Sequence, residues 1–417
     1  MTTRSDPERP RVRSSVDRPS VGTSAKRYSL VYFVSTLSAG GAQIGMSRLF
    51  AGLDRDLYDV TVVCAYRGTD DVRAAIPGWV TVRELESVAP WRRPLVLSRT
   101  VASADVLVCS LFHATLVGRV LGRVHRVPVV VNWIHSERFS SRLRERAVVA
   151  TNRLADRILA DSPAVAEALV DDVGVDPDLV RTVPIAGVDT DEFVPAETDS
   201  EGTTDGGPRP AEASTPTPRR HSTARPLRVA TVGSLVPPKK HVRVLETARE
   251  LEARAGAPTV RFTIAGTGEL ADRLRSQRDE LGLDTVEFVG FVDDVASFLR
   301  RHDVYLHTSA YEGLCIAALE AMACGLPVVS TRVGGLAHYV EDGASGYLLD
   351  EPDPAAFADA LEQFSDPDRR RAFGRRGREI VETSYSQTAL VSTFVRVVEE
   401  CLAEAELTRT NPSGLRT

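Results

Sequence analysis

The stretch Ser309-Ala310-Tyr311-Glu312-Gly313-Leu314-Cys315-Ile316-Ala317-Ala318-Leu319-Glu320-Ala321-Met322-Ala323-Cys324-Gly325-Leu326-Pro327-Val328-Val329 decides how this chain reads. Its order is strand end, glycine-containing loop, helix, Gly-Leu-Pro turn, strand. Glu312 and Glu320 bracket the helix start, eight positions apart. A carboxylate, a glycine and then a run of unpaired backbone N–H groups make a cradle for a sugar diphosphate. The helix N-terminus attracts phosphate through its dipole and free donors, and the carboxylates can grip sugar hydroxyls.

Outward from this stretch, the same rhythm recurs. Strand-like runs at Arg228–Val232, Val260–Ala265, Val286–Gly290, Val304–His307, Pro327–Ser330 and Tyr347–Leu349 alternate with helical segments. Earlier runs at Ser29–Val34, Asp59–Ala65, Asp105–Ser110 and Pro128–Ile134 alternate with helical segments such as Gln43–Leu53 and Ala114–His125. Strands that are apolar throughout and separated by helices predict parallel sheets covered on both faces. The expected fold is α/β, with two Rossmann-like domains facing across a cleft. The expected boundaries are a disordered tail over 1–27, an N-terminal domain over 28–195, a linker over 196–226, a C-terminal domain over 227–385, and a helix with tail over 386–417. The linker is poor in apolar residues and rich in Gly, Pro, Ser and Thr. Ser386–Leu407 reads as amphipathic helix, expected to pack back toward the N-terminal domain.

Composition bounds the function. At 417 residues, 43% hydrophobic and 26% charged, the chain has the make-up of a soluble globular protein of two domains. A net charge of -6 gives no general reason to expect nucleic acid. The five cysteines form no C-x-x-C pair and mostly lie among apolar residues, which predicts free thiols in a reducing, cytoplasmic setting. No apolar run approaches a membrane span, and the Arg-rich N-terminus lacks a signal peptide's apolar core.

In doubly wound sheets ligands bind beyond the carboxyl ends of the strands, and the candidate motifs fall there. Gly40-Gly41 follows the first strand without forming G-x-G-x-x-G, so a nicotinamide cofactor is not indicated. His113 and His135 follow two further strands of the same half. Arg138, Arg142, Arg144 and Arg146 come next, readable as a solvated basic face or as a patch for an acceptor or a membrane surface. Gly233-Ser234 with Lys239-Lys240 offers a turn and cations for a diphosphate, Gly266-Thr267-Gly268 a tight turn, and Gly290-Phe291 another loop edge. Gly334-Gly335 either approaches the ligand or only turns the chain. Asp189-Thr190-Asp191 could hold a metal, but its place at the domain junction favours turn and cap roles.

This ordered series, over about residues 29–405, resembles the retaining glycosyltransferases of family 4, with their GT-B fold and E-x7-E signature. The resemblance implies transfer of a sugar from a nucleotide-diphosphate-sugar to a glycan or lipid-linked acceptor, in envelope polysaccharide or glycoconjugate assembly. It implies retention at the anomeric carbon, with no metal and no cofactor beyond the co-substrate. The leaving diphosphate is taken to accept the acceptor's proton. His135, Glu312 and Lys239 are the implied catalytic residues. The implied donor site is Gly41, Ser234, Lys239, Gly266, Phe291, Glu312, Gly313, Leu314, Cys315, Ile316 and Glu320. Within it Glu320 binds the ribose, Glu312 the sugar, and Lys239 with the amides after Glu312 the diphosphate. Gly40, His113, His135 and Arg138 form the acceptor side, and a peripheral contact with the cytoplasmic membrane face is a further expectation. The chain departs from the family at Gln43 (often Glu), Ala186 (usually Asn), Ser234 (Arg) and Lys240 (Gly). Ser234 keeps open a non-catalytic nucleotide-sugar-binding subunit. A sugar-nucleotide epimerase or a phosphorylase on the same fold are the enzyme rivals, and no lysine site for pyridoxal phosphate is evident.

Overall fold

The computed structural model describes residues 26–410 except 39, 69, 138–140, 197–224 and 351. The N-terminal tail expectation, most of the 196–226 linker and the tail beyond 410 therefore lie outside the described residues, as does Arg138.

Two parallel sheets organise the molecule. The first contains β1 (Tyr28–Thr36), β2 (Tyr58–Tyr66), β3 (Thr81–Glu84), β4 (Val106–Ser110), β5 (Val129–Ile134), β6 (Arg157–Ala160) and β7 (Val180–Thr182), in the order β3-β2-β1-β4-β5-β6-β7. The second contains β8 (Leu227–Val232), β9 (Val260–Ala265), β10 (Val286–Gly290), β11 (Val304–His307), β12 (Val328–Thr331) and β13 (Gly346–Leu349), in the order β10-β9-β8-β11-β12-β13. Every strand pair is parallel. Each order reverses beside its first strand, at β1/β4 and at β8/β11. At these switch points the outgoing loops diverge and leave a crevice.

Burial explains why the central strands read so clearly. All six residues of β5 and all five of β4 are buried, because helices cover both faces. The helix Ile316–Ala323 is apolar nearly all round, and every residue in it but Ala317 is buried, as a helix wedged between other elements must be. Glu320 is its one charged residue.

The last helix, Gln387–Thr410, crosses back to the first sheet. Phe394 stacks on Trp133 of β5 with centroids 5.7 Å apart, and Gln387 Nε2 donates to the Arg48 carbonyl at 2.8 Å. The crossing is pinned where Val188 N–H donates to Tyr385 O and Gln387 N–H to Val188 O. Among the described residues no helix is long and apolar enough to cross a membrane.

Candidate active site

The carboxyl ends of the two sheets face each other across a cleft of about 900 Å³. A second hollow of about 650 Å³ lies by the amino ends of β9 and β10, away from both switch points. Of the residues expected at the site, Gly40, Gly41, His135, Ser234, Lys239, Gly266, Phe291, Glu312, Gly313, Leu314, Cys315, Ile316 and Glu320 all line the cleft. His113 does not. It is exposed on the first turn of the helix Phe112–Val124, with its ring edge-on to Phe112. Lys240 is also not among the lining residues. It caps a short turn in the left-handed conformation with its side chain exposed, so it does not replace the cation missing at Ser234.

The centre of the C-terminal side is Glu312. One oxygen, Oε1, receives Lys239 Nζ at 2.5 Å, Ser309 Oγ at 2.6 Å and His307 Nε2 at 2.8 Å. The cluster forms because β11 ends at His307, β8 leads directly to the turn carrying Lys239, and these strands are neighbours at the switch point. Burial alone would raise the Glu312 pKa, but His307 and Lys239 outweigh it and hold the carboxyl well below its usual range. Burial likewise disfavours a charged His307 ring, and the Cys315 sulfur with the Glu312 carboxylate overcomes that, lifting it to about 9. Near neutral pH the cluster is therefore a buried carboxylate held by an ammonium and an imidazolium.

Two glycines show how closely the loops approach. A Cβ on Gly313 would stand 2.1 Å from the His135 carbonyl oxygen, so only glycine lets the Glu312 loop meet the end of β5. Ser162 Oγ donates to the Gly313 carbonyl at 3.2 Å, a second tie between the halves. Gly266 has φ +143°, and a Cβ there would lie 1.9 Å from Gly233 O, so the turns after β8 and β9 are in contact.

On the N-terminal side His135 is fixed at both ring nitrogens. Nδ1 pairs with Asp161 Oδ2 at 2.8 Å and Nε2 with Ser110 Oγ at 2.8 Å. Burial raises the Asp161 pKa and His135 pulls it back. The carboxylate directs the proton to Nδ1, which leaves Nε2 to exchange a hydrogen bond with Ser110 or a substrate hydroxyl.

Sequence reasoning missed Arg48, Ser110, Asp161, Ser162, His307 and Ser309. All but Arg48 end or follow a strand, which is the signal that could have found them. Arg48 NH2 lies 2.5 Å from Glu320 Oε1. Lys239 and Arg48 are the lysine and arginine lining the cleft among the described residues.

For a metal, the described residues offer one mixed group: His307, Glu312 and Cys315 place N, O and S atoms within 4.8 Å of one another. Lys239 already contacts the same Glu312 oxygen, and His307 Nε2 pairs with it as well. Asp189 Oδ1 accepts the N–H groups of Asp191 and Glu192, a turn-capping role.

Comparison with known proteins agrees in both halves. Residues 218–380 match the family described as "Glycosyl transferases group 1", and residues 40–186 match "Glycosyl transferase 4-like domain". The lipopolysaccharide core biosynthesis glycosyltransferase LpsE of Rhizobium meliloti is 35% identical over 150 residues, 36% of this chain and 44% of that protein. D-inositol 3-phosphate glycosyltransferase 2 of Catenulispora acidiphila is 34% identical over 263 residues, 60% of this chain and 58% of that protein. The chain thus spans about half the length of the curated relatives it matches. Among solved structures, Anabaena HepE in complex with UDP and glucose superposes with TM-score 0.73 at 20% identity, over 90% of this chain and 100% of that one. The sucrose-phosphate synthase of Thermosynechococcus elongatus gives 0.66 at 20% identity, over 91% and 100%. At such identities these two likenesses show the fold.

Proposed function

The chain belongs to the family 4-type glycosyltransferases of GT-B fold, and from that premise we propose that it moves a sugar from a nucleotide-diphosphate-sugar to a hydroxyl of a glycan or lipid-linked acceptor in polysaccharide or glycoconjugate assembly. The observation that carries this reading is the Glu312 cluster facing His135 across the cleft. An ionised carboxylate beside an ammonium suits a donor whose sugar offers hydroxyls and whose diphosphate brings negative charge. Relatives named for lipopolysaccharide core and colanic acid synthesis support the substrate class.

The reaction is read as retaining and metal-independent. Lys239 and the N–H groups opening the helix Ile316–Ala323 neutralise charge growing on the leaving diphosphate. Glu312 orients the donor sugar. His135, held by Asp161, positions the reacting hydroxyl, whose proton passes to the leaving diphosphate oxygen as the new glycosidic bond forms on the same face. Each group contributes by placement and charge. In this reading the positive field comes from Lys239 and the helix N–H groups.

The membrane expectation has support in the helices Phe112–Val124 and Arg142–Thr151, which pack together. The first exposes Val117, Val120 and Val124, and the second exposes Leu143 with Arg142, Arg144 and Arg146. Such a face suits the anionic cytoplasmic membrane surface. Co-sedimentation with phosphatidylglycerol vesicles but not phosphatidylcholine vesicles tests it.

The functional test is a thermal-shift screen of UDP-, GDP- and ADP-sugars followed by a transfer assay on glycan acceptors. A donor that raises Tm and is consumed only when acceptor is present supports transfer. Binding without turnover leaves a nucleotide-sugar-binding subunit, and conversion of the donor without acceptor indicates an epimerase.

A further inference from the structure

Glu320 sits on a helix otherwise made of apolar residues, with its side chain 9% exposed. A carboxylate at that depth is costly unless a cation reaches it. The cation comes from the opposite half of the molecule. Arg48 lies on the helix Gly41–Gly52 that follows β1, and its NH2 group is 2.5 Å from Glu320 Oε1. Its other terminal nitrogen donates to the Ala186 carbonyl at 3.0 Å, and the guanidinium lies 5.5 Å from the Phe193 ring centroid. Arg48 is thus anchored in its own half by a carbonyl and a ring, and reaches across the cleft with its remaining donor.

We propose that Arg48 is a positioning residue that fixes the Glu320 carboxylate across the cleft, so that a full grip on the nucleotide ribose exists only when the two halves are together. This rests on the reading of Glu320 as the ribose-binding carboxylate. In the closed arrangement the ion pair leaves Glu320 a fixed acceptor for vicinal hydroxyls. When the halves part, Arg48 withdraws with its helix, and the Glu320 carboxylate loses the bond that fixes its orientation toward the ribose. Nucleotide binding and closure then favour each other, because each stabilises the arrangement the other needs.

The surrounding charges are consistent with this assignment. Burial raises the Glu320 pKa above its ordinary value, Arg48 offsets only part of that rise, and the nearby Glu192 adds to it. Two other guanidiniums nearby are turned to backbone carbonyls: Arg300 donates to Glu192 O, and Arg378 donates to Thr190, Phe193 and Ala323. The Cys324 N–H donates to the backbone oxygen of Glu320, not to its side chain. Arg48 is the ion-pair partner that the described residues give this carboxylate.

The test is calorimetric titration of UDP and 2′,3′-dideoxy-UDP into the full chain, repeated with the GDP or ADP pair if the donor screen selects that base. Wild type, Arg48→Met, Arg48→Lys and Glu320→Gln are compared from pH 5.5 to 8.5, with Tm recorded to show that each is folded. Wild type should prefer the ribonucleotide by roughly tenfold or more, as for a charge-assisted hydrogen bond. Arg48→Met should lose most of that preference while binding the dideoxy nucleotide as wild type does. Arg48→Lys should restore part of the preference, and serves alone if Arg48→Met does not fold. If Arg48→Met keeps the preference while Glu320→Gln loses it, the inference on Arg48 is overturned and the ribose role of Glu320 stands. If Glu320→Gln keeps the preference, the ribose reading fails and the inference with it. Equal weakening of both nucleotides at every pH would reduce Arg48 to a packing role and also overturn the proposal.

Discussion

Replacing Gly313 by alanine asks how tightly the two halves must meet. The added Cβ would stand 2.1 Å from the His135 carbonyl oxygen and 3.1 Å from its carbon, against a floor near 3.0 Å for real contacts. The obstructing atoms are backbone, so they cannot rotate away, and the Glu312 loop must part from the end of β5 by roughly 1 Å. That displacement separates His135 from Glu312, the two sides of the reaction centre. A misplacement of about 1 Å costs on the order of a hundredfold in rate, or about 2.7 kcal/mol of barrier. The assay is the initial rate at saturating donor and acceptor, with Tm and nucleoside diphosphate affinity measured alongside. A folded variant with nearly intact nucleotide affinity and a kcat reduced by about two orders of magnitude is expected. A folded Gly313→Ala enzyme with wild-type kcat would refute the argument, because the contact between loop and strand would then not set the geometry of the reaction.

Three further outcomes follow from the same geometry. The His307 ring is pushed up to about 9, against 6.5 for a free ring, with Glu312 and Lys239 as its charged neighbours and the Cys315 thiol and the His241 ring, itself pushed down to about 4, beside them. A raised pKa stabilises the fold fully below about pH 6.5, and the benefit fades as pH rises through 9. On the order of 3 kcal/mol is at stake, and Tm of wild type should fall relative to His307→Gln across that window, a parallel pair of curves being the contrary result. His135→Ala should lower kcat far more than donor affinity, since its contacts are to the reacting hydroxyl; loss of Tm with kcat intact would assign it a structural role only. Activity should survive excess EDTA, and strict dependence on Mg²⁺ or Mn²⁺ abolished by Asp189→Ala or Asp191→Ala would move the donor site to that turn.

The parts of the fold that the sequence made plain are those where burial dictates residue type. β1, β2, β4 and β5 are dominated by Val and other apolar residues because helices cover both their faces, and most strands of the second sheet stand out as short apolar runs between helices. β3, β6 and β7 escaped notice: they are three or four residues long, each carries an arginine, and two of them are sheet edges. Missing β6 hid Asp161 and Ser162, which follow it and reach His135 and Gly313. Arg48 was invisible for another reason. An all-apolar helix with one glutamate announces that a cation is needed, but the partner lies 272 residues away and only the closed cleft brings them together. His113 also follows a strand, but the first turn of its helix carries the ring outward, off the lining of the cleft.

Proton NMR of the product's anomeric position tests the central claim most directly, using the nucleotide-α-sugar that stabilises the protein and the acceptor it consumes. The account predicts an α-linked product, released together with one equivalent of nucleoside diphosphate and dependent on acceptor. A β-linked product would contradict the front-face arrangement of Glu312, Lys239 and His135, and a donor altered without any acceptor bond would contradict glycosyl transfer itself.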